Sequence, residues 1–160
     1  MHTSYILLGS NLGDRKKYIA SAISEISATL GIIEISSSLY ETASWGKHDQ
    51  PDFLNQVIEL KTNLNPKDLL TGVLNIEIKL GRQRIEKWGS RVIDIDILLY
   101  GQQIVNEPEL SIPHPLLAFR RFCLMPLNEI APKFVHPILK KTMQELLFEL
   151  SDDLFVKKLS

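Results

Sequence analysis

Residues 87–100 read KWGSRVIDIDILLY, and the alternation at the centre of this stretch decides how the fold is read. Ile93, Ile95, Ile97 and Leu99 recur at every second position, the spacing of side chains on one face of a β-strand. Val92, Asp94, Asp96 and Leu98 then share the other face. The isoleucine face is expected to meet a core. The opposite face carries two carboxylates about 6–7 Å apart, from the rise of a strand. Two full charges at that distance repel by roughly 1 kcal/mol in water, and by nearer to about 3 at an effective dielectric of about 20. Thr or Lys would serve a merely solvated strand at less cost. A divalent cation is the first candidate for what makes the pair favourable.

Working outward, Tyr5–Leu8 predicts a short buried strand ended by the turn residues Gly9, Ser10 and Asn11. Asp14 is placed to cap a helix whose apolar face is Ile19, Ala22, Ile23, Ile26 and Leu30, with Gly31 as the stop. IIEISSSLYET predicts a second strand and FLNQVIELKT a third. Pro66 suits the first turn of a helix running through Leu69, Leu70, Val73, Leu74, Ile76 and Leu80. Beyond the Asp-x-Asp strand, the pattern predicts a strand at Gln103–Val105, a helix from near Leu117 and another over Met143–Leu150. The order strand–helix–strand–strand–helix–strand describes a ferredoxin-like α+β sandwich: a mainly antiparallel sheet with helices packed on one face, in a single domain over residues 1–160.

Composition narrows the function. The chain has 160 residues, 44% hydrophobic and 23% charged, which is ordinary for a globular domain. A net charge of −1 gives no global pull toward nucleic acid or an acidic membrane, so an anionic ligand must be held by a local cluster. Cys123 is the only cysteine, which excludes an internal disulfide and fits a reducing compartment. The apolar run near the start is too short for a signal peptide, and no segment is long enough to span a membrane. A cytoplasmic monomer is expected.

Mg²⁺ takes oxygen ligands, commonly one or two carboxylates plus substrate phosphates, and Asp94 and Asp96 fit that need if a nucleotide supplies the rest. Arg82, Arg84, Lys87 and Arg91 stand just before them, and guanidinium groups grip phosphate with paired donors. A salt-bridged surface loop is the plainer reading of such a run. Trp88 within it offers a flat surface, as do Trp45 and Phe53 beside the amide of Asn55, which suits a heterocycle with lactam and amine edges. His114 lies between two prolines, with Arg120 and Arg121 soon after. GSNLGD lacks the glycine spacing of a dinucleotide motif and the Lys-Ser/Thr of a phosphate loop.

Taken together, KWGSRVIDIDIL, YETASWGKHDQPDFLNQV, IEIKLGRQR and IPHPLLAFRRFCLMPLNEIAP resemble the hydroxymethyldihydropterin pyrophosphokinase family of folate synthesis. The resemblance implies transfer of the terminal diphosphate of ATP to 6-hydroxymethyl-7,8-dihydropterin, with release of AMP. It implies Asp94 and Asp96 as ligands of two Mg²⁺ ions, with Arg82 and Arg91 acting in catalysis. It places Glu77, Arg84, Ile97, Ser111, His114 and Arg120 at ATP, and Thr42, Ala43, Trp45, Phe53, Asn55, Trp88 and Phe122 at the pterin. Leu74 stands where many members carry Gln, Glu109 where many carry a base, Ala43 and Ser44 where a proline pair is usual, and Pro115 where an aromatic is common. Two rival readings are a ferredoxin-like nucleic-acid-binding module, which would show aromatics on an open sheet face, and another Mg-dependent nucleotide transferase.

Overall fold

The structure, a computed structural model, describes residues 1–42, 52–81, 92–151 and 155–159. Its elements run β1 (His2–Ser10), α1 (Arg15–Thr29), β2 (Ile32–Ser36), β3 (Tyr40–Thr42), β4 (Phe53–Thr62), α2 (Pro66–Lys79) and β5 (Asp94–Tyr100). A hairpin of β6 (Val105–Glu107) and β7 (Leu110–Ile112) follows, then α3 (Arg121–Ile130), α4 (Met143–Glu149) and β8 (Val156–Lys158). The main sheet has the order β5-β1-β4-β3-β8, with β2 also on β4, and every pairing in it is antiparallel.

Local chemistry accounts for most element ends. The Asp14 carboxylate accepts from the Lys17 N–H at 3.2 Å and opens α1. Asn65 does the same for Asp68 at 2.8 Å, with Pro66 in the first turn of α2. Thr142 and Glu145 cap α4 reciprocally. Gly31 is a requirement of space: a Cβ there would lie 2.2 Å from the Lys61 carbonyl oxygen, so only glycine lets the chain leave α1 and pass β4.

Several expectations are corrected. The run 32–42 is two strands, because Ser37 interrupts the ladder: its N–H donates to Val57 O at 2.8 Å and its hydroxyl accepts from Val57 N at 3.0 Å. The strand placed at Gln103–Val105 lies two residues later and closes as a hairpin. The helix near Leu117 is a 3-10 turn, Leu117–Phe119, and α3 starts at Arg121. The first strand runs on through Gly9 and Ser10, which the turn reading had outside it. The edge strand β8 has no counterpart in the sequence reading.

The larger correction concerns the faces of the sheet. Tyr5 pairs with Leu99 and Ile6 with Ile97, so Leu98 is an extra residue, a β-bulge. Beyond it the alternation inverts. Ile93, Ile95 and Ile97 pack with Ile19, Ile26, Leu69 and Val73 under α1 and α2. Leu99 joins Leu98 in a second core with Tyr5, Leu7, Val57, Leu124 and Met143, on the aspartate face. Helices therefore cover both faces, and the sandwich has three layers instead of an open sheet on a single helical layer.

Candidate active site

The strand register places the carboxylates beside the other candidate residues. Gly9 pairs with Asn55 on β4 and with Asp94 on β5, and Asn55 pairs with Tyr40 on β3, so Asp94, Gly9, Asn55 and Tyr40 form one row across four strands. One row along are Thr42 and Phe53; one row back are Asp96 and Leu7. Residues two apart share a face, so Thr42, Phe53, Asn55, Asp94 and Asp96 all stand on the side covered by α3, which brings Phe122 in its first turn. Asn55 and Asp94 are two strands apart, about 10 Å from strand spacing. Asn55 is 3% exposed, and its Nδ2 has no hydrogen-bond partner among the described residues.

The back of this row is tied down. The Tyr40 hydroxyl donates to Glu129 Oε1 at 2.6 Å, and Ser38 donates to the same carboxylate through both its N–H and its hydroxyl. Burial works against the Glu129 charge, but these hydrogen bonds outweigh it and hold the carboxyl below its ordinary range. Thr42 donates to the Phe155 carbonyl at 3.1 Å. Arg15 Nη1 lies 2.6 Å from Glu41 Oε2 and donates to Asp52 O at 3.0 Å, so one guanidinium joins the neighbours of Thr42 and Phe53. Sequence reasoning missed Arg15, although a signal existed. Arg15, Lys16 and Lys17 open α1 with no acid in the first turn, against the helix dipole, which points to a tertiary partner.

Glu77 proves to serve the strand itself. It is 3% exposed on α2, and its Oε2 accepts from the Ile95 N–H, between the two aspartates, at 2.7 Å. Among the described strands β5 ends the sheet, so this outward N–H has no ladder partner there and the carboxylate supplies an acceptor. Residues two apart on a strand share an edge, so the backbone of Ile97 faces the same way while its side chain lies in the core. Glu77 and Asp96 also line an open cleft of about 680 Å³ with Leu70, Leu74, Ile95 and Glu109. Leu74 gives this cleft an apolar wall. Glu109 pairs with Lys67 at 3.7 Å. Ser111 is exposed on β7 and is not among the described cleft-lining residues.

His114 is held at the bulge, its N–H donating to Leu98 O at 2.9 Å. Its Nδ1 accepts from Leu116 N at 3.1 Å, which leaves the ring proton on Nε2. Burial and the neighbouring Arg120 charge lower its pKa to about 4, against the opposing pull of Asp94. The ring is therefore neutral at pH 7 and offers one N–H donor. Arg120 is 8% exposed, with its guanidinium 5.3 Å from the Phe122 ring centroid. In ligand-free protein, ¹⁵N spectra should show the Nε2–H tautomer of His114 persisting well below pH 6. The folded pKa lies under the unfolded value, so the stability from this residue is complete above about pH 6.5 and fades toward about pH 4, by about 3 kcal/mol at most. A His114 that titrates near 6.5 would refute this environment.

Ala43, Trp45, Arg82, Arg84, Lys87, Trp88 and Arg91 lie outside the described residues.

The sequence model of the family described as "7,8-dihydro-6-hydroxymethylpterin-pyrophosphokinase (HPPK)" matches residues 5–132. A 2-amino-4-hydroxy-6-hydroxymethyldihydropteridine pyrophosphokinase of Aquifex aeolicus is 45% identical over 145 residues, which is 91% of this chain and 90% of that one. The protein of the same name from Haemophilus influenzae is 38% identical over 158 residues, 98% of each chain. Among solved structures, wild-type Plasmodium falciparum HPPK-DHPS with pteroate superposes with a TM-score of 0.74 at 19% identity, over 92% of this chain and 42% of that one. That structural likeness speaks for the fold, and this chain spans less than half of the Plasmodium protein. The family match covers most of the chain, including every described candidate residue, and two relatives match nearly end to end: the chain belongs to the 7,8-dihydro-6-hydroxymethylpterin-pyrophosphokinase family.

Proposed function

We propose that this protein carries out its family's reaction on the sheet face built by β5, β1 and β4, with the nucleotide entering from the cleft at the β5 edge. The reaction moves the terminal diphosphate of ATP to 6-hydroxymethyl-7,8-dihydropterin in folate biosynthesis. The substrate hydroxyl oxygen attacks the β-phosphorus, the bond from that phosphorus to the α-phosphate oxygen breaks, AMP leaves, and the hydroxyl proton is released. The observation that carries this arrangement is the row in which Asn55 and Asp94 share one face with a glycine between them.

In this reading Thr42, Phe53, Asn55 and Phe122, with Ala43, Trp45 and Trp88, hold the pterin. Asn55 reads its polar edge, because a buried amide left unpaired penalises a wrong ligand. The backbone of Ile97 and the cleft wall receive the adenine. Ser111, Arg84 and Arg120, with the Nε2–H of His114, meet the ribose and phosphates. Arg82 and Arg91 stabilise charge in transfer, and Glu77, which lines the cleft that takes the nucleotide, also holds the strand on which the aspartates stand.

Asp94 and Asp96 are both partly buried hard donors on one face, and no group of three or more potential ligands is found among the described residues. Asp94 and Asp96 would hold two Mg²⁺ ions beside the phosphates. When bound, Mg²⁺ neutralises phosphate charge and lowers the pKa of the attacking hydroxyl. The residues contribute chiefly position: an in-line approach is an entropy problem that oriented groups solve before the reaction begins.

The working unit is proposed as a cytoplasmic monomer with one domain over residues 1–160. Cys123 is a buried free thiol whose pKa burial pushes up to about 12. No described helix is long and apolar enough to cross a membrane. The sheet face that a nucleic-acid-binding module would present is covered here by α3 and α4.

The deciding assay mixes protein and Mg-ATP with and without the pterin and identifies the nucleotide product. AMP formed only with the pterin is the expected result. ADP would mean ordinary phosphoryl transfer, and no turnover by folded protein would overturn the reading.

A further inference from the structure

Gly9 is buried in the middle of the row from Asp94 to Asn55, and it has no backbone need to be glycine. Its φ is not among the positive values, and β1 pairs regularly on both sides there. Glycine weakens a strand interior, so its presence calls for a reason of space. The space is specific. A Cβ on Gly9 would sit 2.8 Å from Asn55 Oδ1, too close for carbon and oxygen, and 3.5 Å from the nearest Phe53 ring carbon, an ordinary contact. The Asn55 amide therefore lies across β1 in the volume that a side chain at position 9 would fill. Asp94 is the partner of Gly9 on the next strand of the same row. The amide nitrogen, buried and with no hydrogen-bond partner among the described residues, is a donor awaiting an acceptor.

We infer that Gly9 is a positioning residue for pterin recognition: its missing side chain directs the Asn55 amide over β1 toward Asp94. The amide then meets the lactam–amine edge of a flat heterocycle while the Asp94 end of the row holds the hydroxymethyl group. The inference rests on the pterin reading above and adds what sets the direction of Asn55. A methyl at position 9 would clash only with the tip of the Asn55 side chain, since Phe53 Cδ1 at 3.5 Å and the Leu54 carbonyl oxygen at 3.9 Å are ordinary contacts, so it turns that amide aside and leaves the strand paired.

The test is a double-mutant cycle in steady-state kinetics on wild type, Gly9→Ala, Asn55→Ala and the double variant, with KM measured for pterin and for ATP. Gly9→Ala should unfold cooperatively, raise the pterin KM about ten- to a hundredfold and leave the ATP KM within about twofold. In the Asn55→Ala background, adding the methyl should change the pterin KM by less than about threefold, since no amide remains to displace. Should Gly9→Ala not fold, Asn55→Ala must still raise the pterin KM with the ATP KM unchanged and the double variant must stay within about threefold of it, and failure of either overturns the inference. A pterin KM unchanged by Gly9→Ala, an equal rise in both KM values, or a full additional factor in the Asn55→Ala background overturns the inference. Wild-type protein that forms no AMP with the pterin overturns the reading beneath it, so the two failures are distinct.

Discussion

Replacing Asp96 by Ala should lower kcat by about a thousandfold or more, because metal-assisted charge neutralisation contributes several kcal/mol to such a transfer. The fold should survive. Asp96 pairs with Leu7 across β1–β5, stands on the face away from the isoleucine core and is only partly buried, so its loss opens no cavity there. Asp96→Asn keeps the shape and removes the charge, and it should lose nearly as much. Single-turnover AMP formation over a range of Mg²⁺ concentrations, with thermal unfolding followed by circular dichroism, makes the check. Near-normal turnover in Asp96→Ala would end the assignment of this carboxylate to metal. Lost turnover together with lost cooperativity would make it a structural residue.

Glu77→Ala should destabilise the protein and slow it together. A hydrogen bond to a charged group contributes about 1.5–3 kcal/mol, and the alanine variant leaves the Ile95 N–H at the sheet edge without its acceptor. At about 2–4 °C per kcal/mol for a domain of this size, Tm should fall by roughly 3–12 °C. Strand β5 then loses its outer restraint between Asp94 and Asp96. A small displacement there is expected to cost kcat about tenfold or more. Glu77→Gln keeps an oxygen acceptor and should recover most of the Tm. Calorimetry and steady-state kinetics on both variants separate this role from nucleotide binding. A contact made to ATP alone would raise the ATP KM in Glu77→Ala and leave Tm where it was.

The aspartate strand shows where local pattern stops being informative. Alternation assigns Ile93, Ile95 and Ile97 to the core that they occupy, because a strand's period is a property of the strand alone. Leu99 breaks the pattern only because β1 pairs with β5 around an extra residue at Leu98, and a bulge belongs to two strands. The same bulge exposes the carbonyl that anchors His114. Glu77 tells a similar story. A helix position predicted to meet the nucleotide is found hydrogen-bonded to a strand 18 residues on, and no helical period carries that partner. Gly9 was read as part of a turn, since a glycine's neighbours across a sheet are invisible along the chain.

Elements whose cause lies within about ten residues are legible along the chain: the capped helices α1, α2 and α4, the strands β4 and β5, and the paired aspartates with their arginine-rich approach. The family is legible there too, through a motif whose spacing is local. The break of 32–42 at Ser37, the closing of α3 and α4 over the aspartate face, and the row that Asn55 and Asp94 share across Gly9 come from contacts between distant segments. The difference is one of range. Periodicity and capping are set by a residue's own turn or pleat, whereas register, bulges and the occupant of the space above a glycine are set by strands that meet from 44 to 96 residues apart.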